Sequence, residues 1–148
     1  MNTKFIFLTL YLSVIPTNLF AQSQAVLEKY QWKNRIVLVF SPSEKDKNYE
    51  MQQTTFLKDN LGIEEREIVI FSVFEGSAKN SDKQLLSKND CLYLRDKFHI
   101  KKDEFCIVLI GKDGGEKYRK STILPSAELF AVIDAMPMRR AEMNVKKN

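Results

Sequence analysis

Two cysteines, Cys91 and Cys106, and one histidine, His99, are the side chains of this sequence best suited to nucleophilic, redox or acid–base chemistry. A thiolate attacks disulfides and peroxides, and an imidazole moves protons near neutral pH. The surroundings of these residues point elsewhere. Cys91 shares an apolar stripe with Leu94 and Phe98, and Cys106 lies inside Phe105-Cys106-Ile107-Val108-Leu109-Ile110. Both therefore read as small core hydrophobes carrying buried free thiols. A structural disulfide between them is the alternative in an oxidising compartment, and catalysis by Cys91 or Cys106 is a third reading. His99 follows Phe98 at the end of a predicted helix, where a charged imidazole complements the helix dipole, so capping is its expected role. Asp96 and Asp103 are near it in sequence, but no nucleophile is. A single histidine cannot furnish a multi-histidine metal site, and neither metal nor cofactor is predicted.

Binding chemistry has a second set of candidates. Gly111, Gly114 and Gly115 surround Lys112 and Asp113 in a turn, with Lys117, Arg119 and Lys120 close behind. Glycine-rich backbone can turn its N–H groups inward around an anion. The phosphate-loop pattern is missing, however, and Asp-Gly-Gly between two strands suits a hairpin that Asp113 ties together. Asp134 and Arg139 stand across a proline-marked helix break, where a salt bridge is the expected arrangement. Arg139 and Arg140 also begin a basic C-terminal stretch that could meet an acidic partner protein or polymer. Glu64, Glu65 and Glu67 with Arg66 would be the material for an acid–base enzyme, although their alternation at a strand entry also describes solvated charge.

The elements that position these groups follow from hydrophobic periodicity. Arg35-Ile36-Val37-Leu38-Val39-Phe40 reads as a strand buried on both faces. Tyr49, Phe56, Leu57 and Leu61 share one face of a helix predicted over 48–61, with Gly62 as its stop. A second buried strand spans Glu67 to Phe74, followed by a polar loop from Glu75 to Gln84. Ser87 and Asp90 form a capping-box pattern that opens a helix ending near His99. Phe105 to Ile110 is the most apolar run after the first 21 residues, and Glu116 to Lys120 returns beside it as an edge strand. A last helix opens at Pro125-Ser126, carries Leu129, Ile133 and Met136 on one face, and ends at Pro137; a short basic helix or tail follows.

Composition fixes the class. The chain has 148 residues, enough for one domain, and its formal net charge of +4 is too small to imply nucleic-acid binding. Hydrophobic residues make up 44%, ample for a core, whereas 5 Gly and 4 Pro are too few for a disordered or fibrous chain. Residues 1–21 read as a secretory signal peptide: Lys4, an apolar run from Phe5 to Ile15, then Leu19-Phe20-Ala21 with cleavage expected after Ala21. The run is shorter than the roughly 20 residues that span a bilayer, so no transmembrane anchor is expected after cleavage. Residues 22–148 would then form a single secreted or periplasmic domain.

The predicted order is strand, helix, strand, helix, strand, strand, helix. Joined by a helix, the first two strands run parallel, and the tight turn makes the last two antiparallel. This is an α/β, thioredoxin-like arrangement, a mixed four-stranded sheet flanked by helices. Four motifs carry a more specific resemblance: Tyr30-Gln31-Trp32-Lys33-Asn34-Arg35, Glu65-Arg66-Glu67, Leu109 to Gly115, and Ile133 to Arg139. Through them the chain resembles the thioredoxin-like domains of unknown function of bacterial exported proteins, known as DUDES domains in sushi-repeat and other extracellular-matrix proteins. The resemblance covers about residues 26 to 143 and implies the fold and an extracellular or periplasmic setting. Disulfide exchange in such a fold needs a thiolate at the start of the helix after the first buried strand. Lys45-Asp46-Lys47-Asn48 occupies that place, and Lys101-Lys102-Asp103-Glu104 replaces the proline that precedes the third core strand in thioredoxins. The expectation is therefore a non-catalytic module that binds an extracytoplasmic partner, with an oxidoreductase or peroxidase using Cys91 or Cys106 as the alternative.

Overall fold

The computed structural model describes residues 25–81 and 85–145; the proposed signal peptide lies outside them. Arg35–Phe40 (β1) and Ile68–Val73 (β2) pair in parallel, as their buried, β-branched sequences and helical connection require. Cys106–Ile110 (β5) lies antiparallel on the other side of β1, and Glu116–Lys120 (β6) pairs antiparallel with β5 along the outer edge. The four expected strands are present, and the sheet has two more. Ala78–Asn80 (β3) and Leu85–Leu86 (β4) fall where a polar loop was predicted, extending the order to β4-β3-β2-β1-β5-β6. Ala78 is buried opposite Val73 and the Phe74 N–H donates to Ser77 O, so a tight reversal after β2 gives even this polar segment a strand to pair with.

Alternation along the strands divides the interior into two layers. Ile36, Leu38, Phe40, Phe71, Cys106 and Val108 face one side of the sheet, where the helix Lys88–Lys97 (α3) covers them with Cys91 and Leu94. Val37, Val39, Ile107 and Leu109 face the other, under Lys47–Lys58 (α1), Asn60–Glu65 (α2) and Ser126–Asp134 (α4). Pro137–Val145 (α5) closes the described chain.

Local chemistry moved several boundaries. The helix predicted over 48–61 breaks at Asp59 into α1 and α2, and Gly62 sits inside α2 instead of ending it. Its missing side chain is what lets α4 approach, since a Cβ there would stand 2.5 Å from the Phe130 ring. Glu67 is not a strand residue; it takes a left-handed turn at φ 51° before β2 begins at Ile68. α4 stops at Asp134, short of the expected Met136, and Pro137 opens α5 in the place of the short second helix that was expected after it, as its fixed φ and missing N–H suit a first helical turn. At the end of α3, His99 has φ 55° and the Ile100 N–H donates to Arg95 O at 2.8 Å, so its contribution to the cap is made by its backbone.

Candidate functional site

At the carboxyl end of β1, where this topology would hold a reactive thiol, Asp46 accepts hydrogen bonds from the N–H groups of Asn48 and Tyr49. It is the N-cap of α1, with its carboxylate engaged in holding the helix start. Just past the end of β1, buried Arg95 donates from Nη2 to Ser41 O at 2.6 Å, and from Nη1 to Lys101 O at 2.6 Å. The guanidinium thus satisfies carbonyls released at the end of β1 and in the turn after α3.

Both cysteines are completely buried, in the same apolar layer, and both are free. Burial pushes the Cys91 thiol up, aided by the charge of Asp90. Burial likewise raises the Cys106 thiol. Neither is a thiolate near neutral pH, and neither lies at α1.

The glycine turn after β5 is internally satisfied. Gly111 N–H donates to Gly115 O, Gly114 N–H to Gly111 O, and Gly115 N–H to Asp113 Oδ1. Gly114 has φ 83°, and the Gln31 side chain lies where a Cβ would come within 3.3 Å. Asp113 therefore ties the turn as expected, and also takes the Lys117 ammonium at 2.6 Å. Arg119 bonds both oxygens of Glu116 and the carbonyl of Phe98. Among the described residues, Arg140 is the one predicted basic binding residue that is exposed with no side-chain hydrogen bond or ion pair.

Lys112 and Arg139 are buried, 9% and 1% exposed, and belong to an ion network around the start of β1, at the opposite end of that strand from the start of α1. Arg35 Nη2 donates to both oxygens of Glu142, and Lys112 reaches Glu142 at 2.7 Å and also Glu67. Arg139 bonds Asp134 at 3.1 Å and Glu65 at 2.6 Å, while Arg66 holds the second oxygen of Asp134 at 2.6 Å. The expected Asp134–Arg139 bridge is thus one link in a group of four cations and four carboxylates. Burial works to raise Asp134 and Glu142, but hydrogen bonds from Arg66 and Arg139, and from Lys112 and Arg35, outweigh it and hold both below their ordinary values. Burial works to lower Lys112 and Arg139, and their carboxylate partners hold both above ordinary. Glu64 receives Asn60, Glu65 pairs with Arg139 and Glu67 with Lys112. Each of the three carboxylates is thus engaged by a different partner.

All four resemblance motifs meet at this end of the molecule. Trp32 N–H donates to Lys112 O at 2.6 Å, Gln31 Nε2 donates to Asp113 O, and Arg35, Glu65 to Glu67, Lys112, Asp134 and Arg139 form the network. Residues 26–142 match the domain of unknown function DUF4174. The chain belongs to the DUF4174 family. This DUF4174 domain is 28% identical over 123 residues to sushi repeat-containing protein SRPX2 of Xenopus laevis, covering 81% of this chain and 27% of that protein. It is 26% identical to sushi repeat-containing protein SRPX of Homo sapiens, over 80% of this chain and 26% of that one, and 24% identical to coiled-coil domain-containing protein 80 of Danio rerio, over 82% and 16%. The chain therefore spans about a quarter or less of these relatives. A reduced 2-Cys peroxiredoxin of Plasmodium vivax superposes with a TM-score of 0.57 at 14% identity, covering 79% of this chain and 84% of that one. The DUF4174 fold here is thioredoxin-like. Among the described residues no helix is long and apolar enough to cross a membrane.

Sequence reasoning missed Arg35 and Glu142 as members of the network. Arg35 carried a signal: a charge joined directly to five apolar residues of a strand buried on both faces needs a counter-charge inside the fold. Glu142 carried none, because its partners come from β1 and the β5–β6 turn.

Proposed function

We propose that this domain is exported with cleavage after Ala21 and acts outside the cytoplasm as a non-catalytic module that binds an extracytoplasmic protein or acidic polymer. The observation that carries this reading is the Asp46 carboxylate at the α1 start, where disulfide exchange would require a thiolate, with both thiols fully buried elsewhere. Their raised pKa values support it further, since the attacking species is the thiolate. The similarity to a minor part of much longer sushi-repeat proteins supports a modular role. An oxidoreductase using Cys91 or Cys106 is the competing reading, and it requires a native thiol that reacts quickly.

The deciding measurement is a thiol count with a maleimide on the purified protein, native and unfolded, with and without prior reduction. Two thiols silent in the native state and titrating on unfolding without reductant are expected. A rapidly labelled native thiol would replace the binding module with the redox enzyme. Amino-terminal sequencing of the exported protein should begin at Gln22; recovery of residues 1–21 on the mature chain would refute the processing step.

A further inference from the structure

A cavity of about 350 Å³ lies beyond the carboxyl end of β2, lined by Glu75 and Gly76 after that strand, by Lys88, Leu92 and Arg95 of α3, and by Lys102 after that helix. Spacings of four and three residues put Lys88, Leu92 and Arg95 on one face of α3. We propose that the cavity binds a small oxyanion of two negative charges, sulfate or phosphate, either free or as a monoester on a small organic body. This rests on the binding-module reading and names the ligand chemistry for one site of that module.

The lining is short of negative charge. Its three cations face one carboxylate, Glu75, which the Lys102 ammonium takes at 2.8 Å. Lys88 is exposed, and its ammonium has no carboxylate partner among the described residues. Arg95 is 5% exposed, and its side-chain hydrogen bonds go to backbone carbonyls alone: Nε to Phe74, Nη1 to Lys101, and Nη2 to Ser41 and Val73. A guanidinium has five N–H donors, so one on Nη1 is left without an acceptor among the described residues. Arg35 and Arg139, equally buried, each hold a carboxylate, whereas Arg95 holds none within ion-pair distance. Buried charges are ordinarily paired, and burial works against the charge of Arg95.

Size and shape specify the rest of the ligand. Three cations against one carboxylate leave two positive charges, the match of one dianion and more than one carboxylate neutralises. Glu75 is exposed, and its carboxyl is held below its ordinary value by Lys102 above all, with the charges of Arg95 and Lys88 adding to the effect. All three cations therefore act on one place, which in the free protein is served by the chain's own side chain. A Cβ at Gly76 would meet nothing within 4 Å, so that wall is bare backbone open to a ligand. Leu92, 48% exposed, is the apolar side chain of the lining and suits the organic body of a monoester. The volume lies at the low end of the range usual for small-molecule sites.

Isothermal titration calorimetry at about pH 8, where a phosphate monoester is a dianion, with inorganic phosphate, sulfate, phenyl phosphate and acetate in a constant chloride background, separates the sources. At least one of the three dianions should bind saturably at one site, with acetate at least about tenfold weaker. Tighter binding of phenyl phosphate than of inorganic phosphate would identify a monoester, and the reverse order a free ion. Lys88→Gln should weaken binding by about tenfold, the loss of one charge-assisted contact. Glu75→Gln should tighten it, because a competing carboxylate is removed and Lys102 is released. Both side chains are exposed, so these variants fold, and unchanged thermal melts check it. Lack of saturable binding by every dianion, equal binding of acetate, full binding by K88Q, or no tightening in E75Q would overturn the proposal. With silent native thiols, that failure would leave the module to bind elsewhere; a fast native thiol refutes the module itself.

Discussion

Arg35, the first residue of β1, donates from Nη2 to both carboxylate oxygens of Glu142 on α5, at 3.1 and 3.2 Å across 107 residues of sequence. The pair docks the last described helix onto the start of the first strand. Two cations, Arg35 and Lys112, depend on that carboxylate in a setting almost closed to water.

Removing Glu142 therefore strands buried positive charge. Glu142→Ala should cost about 3 kcal/mol, the lower end for breaking a buried ion pair because Glu142 itself is partly exposed. Urea unfolding measures the loss. Arg35→Met combined with Glu142→Met should cost less than the single change, since it leaves no lone charge inside; a double variant less stable than E142A would show that the network is not governed by desolvation.

Acid should dissolve the same network. Asp134 and Glu142 are held below their ordinary values of 3.8 and 4.5. As pH falls, the unfolded chain takes up these protons first, so the stabilisation is complete above the ordinary values and is lost as pH drops through them toward the folded values. The urea midpoint should decline below about pH 5, and Glu142→Gln should flatten that decline. A midpoint constant from neutrality to pH 3 in the parent protein would contradict the ion-pair account.

Gly62 gives a case where local propensity and packing disagree. Alanine is the better helix former by about 1 kcal/mol, yet its Cβ would stand 2.5 and 2.6 Å from two atoms of the Phe130 ring. Gly62→Ala should be destabilising by about 1–2 kcal/mol in net terms, as overpacking outweighs propensity. In a Phe130→Ala background the same substitution should become neutral or stabilising, and thermal melts of the four proteins would reveal the reversal.

Cys106 tests whether its sulfur is a packing atom. It is completely buried on β5, in the apolar layer it shares with Cys91 and Leu94 of α3, where a hydroxyl is harder to satisfy than a thiol. Cys106→Ala should cost about 1–2 kcal/mol through lost volume, and Cys106→Ser more. Equal stability of the serine variant and the parent would mean that water reaches the site.

Much of the fold was written in short-range pattern. Continuous β-branched runs over 35–40, 68–73 and 106–110 have few alternatives to buried strands, and Ser87 with Asp90 forms the capping box that the sequence indicated. That no cysteine stands between the first buried strand and the helix after it was equally legible, because it depends only on which residues follow that strand. β3 and β4 were not, since Ala78-Lys79-Asn80 has no apolar alternation and becomes a strand by pairing with β2.

The candidate site divides along the same line. Sequence alone determined that Asp134 and Arg139 could bridge a helix break, that Asp113 could close the turn, and that both cysteines belonged to apolar segments, because each follows from near neighbours and periodicity. Only the tertiary structure decided that Lys112 and Arg139 are buried in ion pairs, and that Arg35 and Glu142 meet. An ion pair between distant residues depends on where whole elements pack, and a basic residue looks the same in sequence whether water or a buried carboxylate surrounds it.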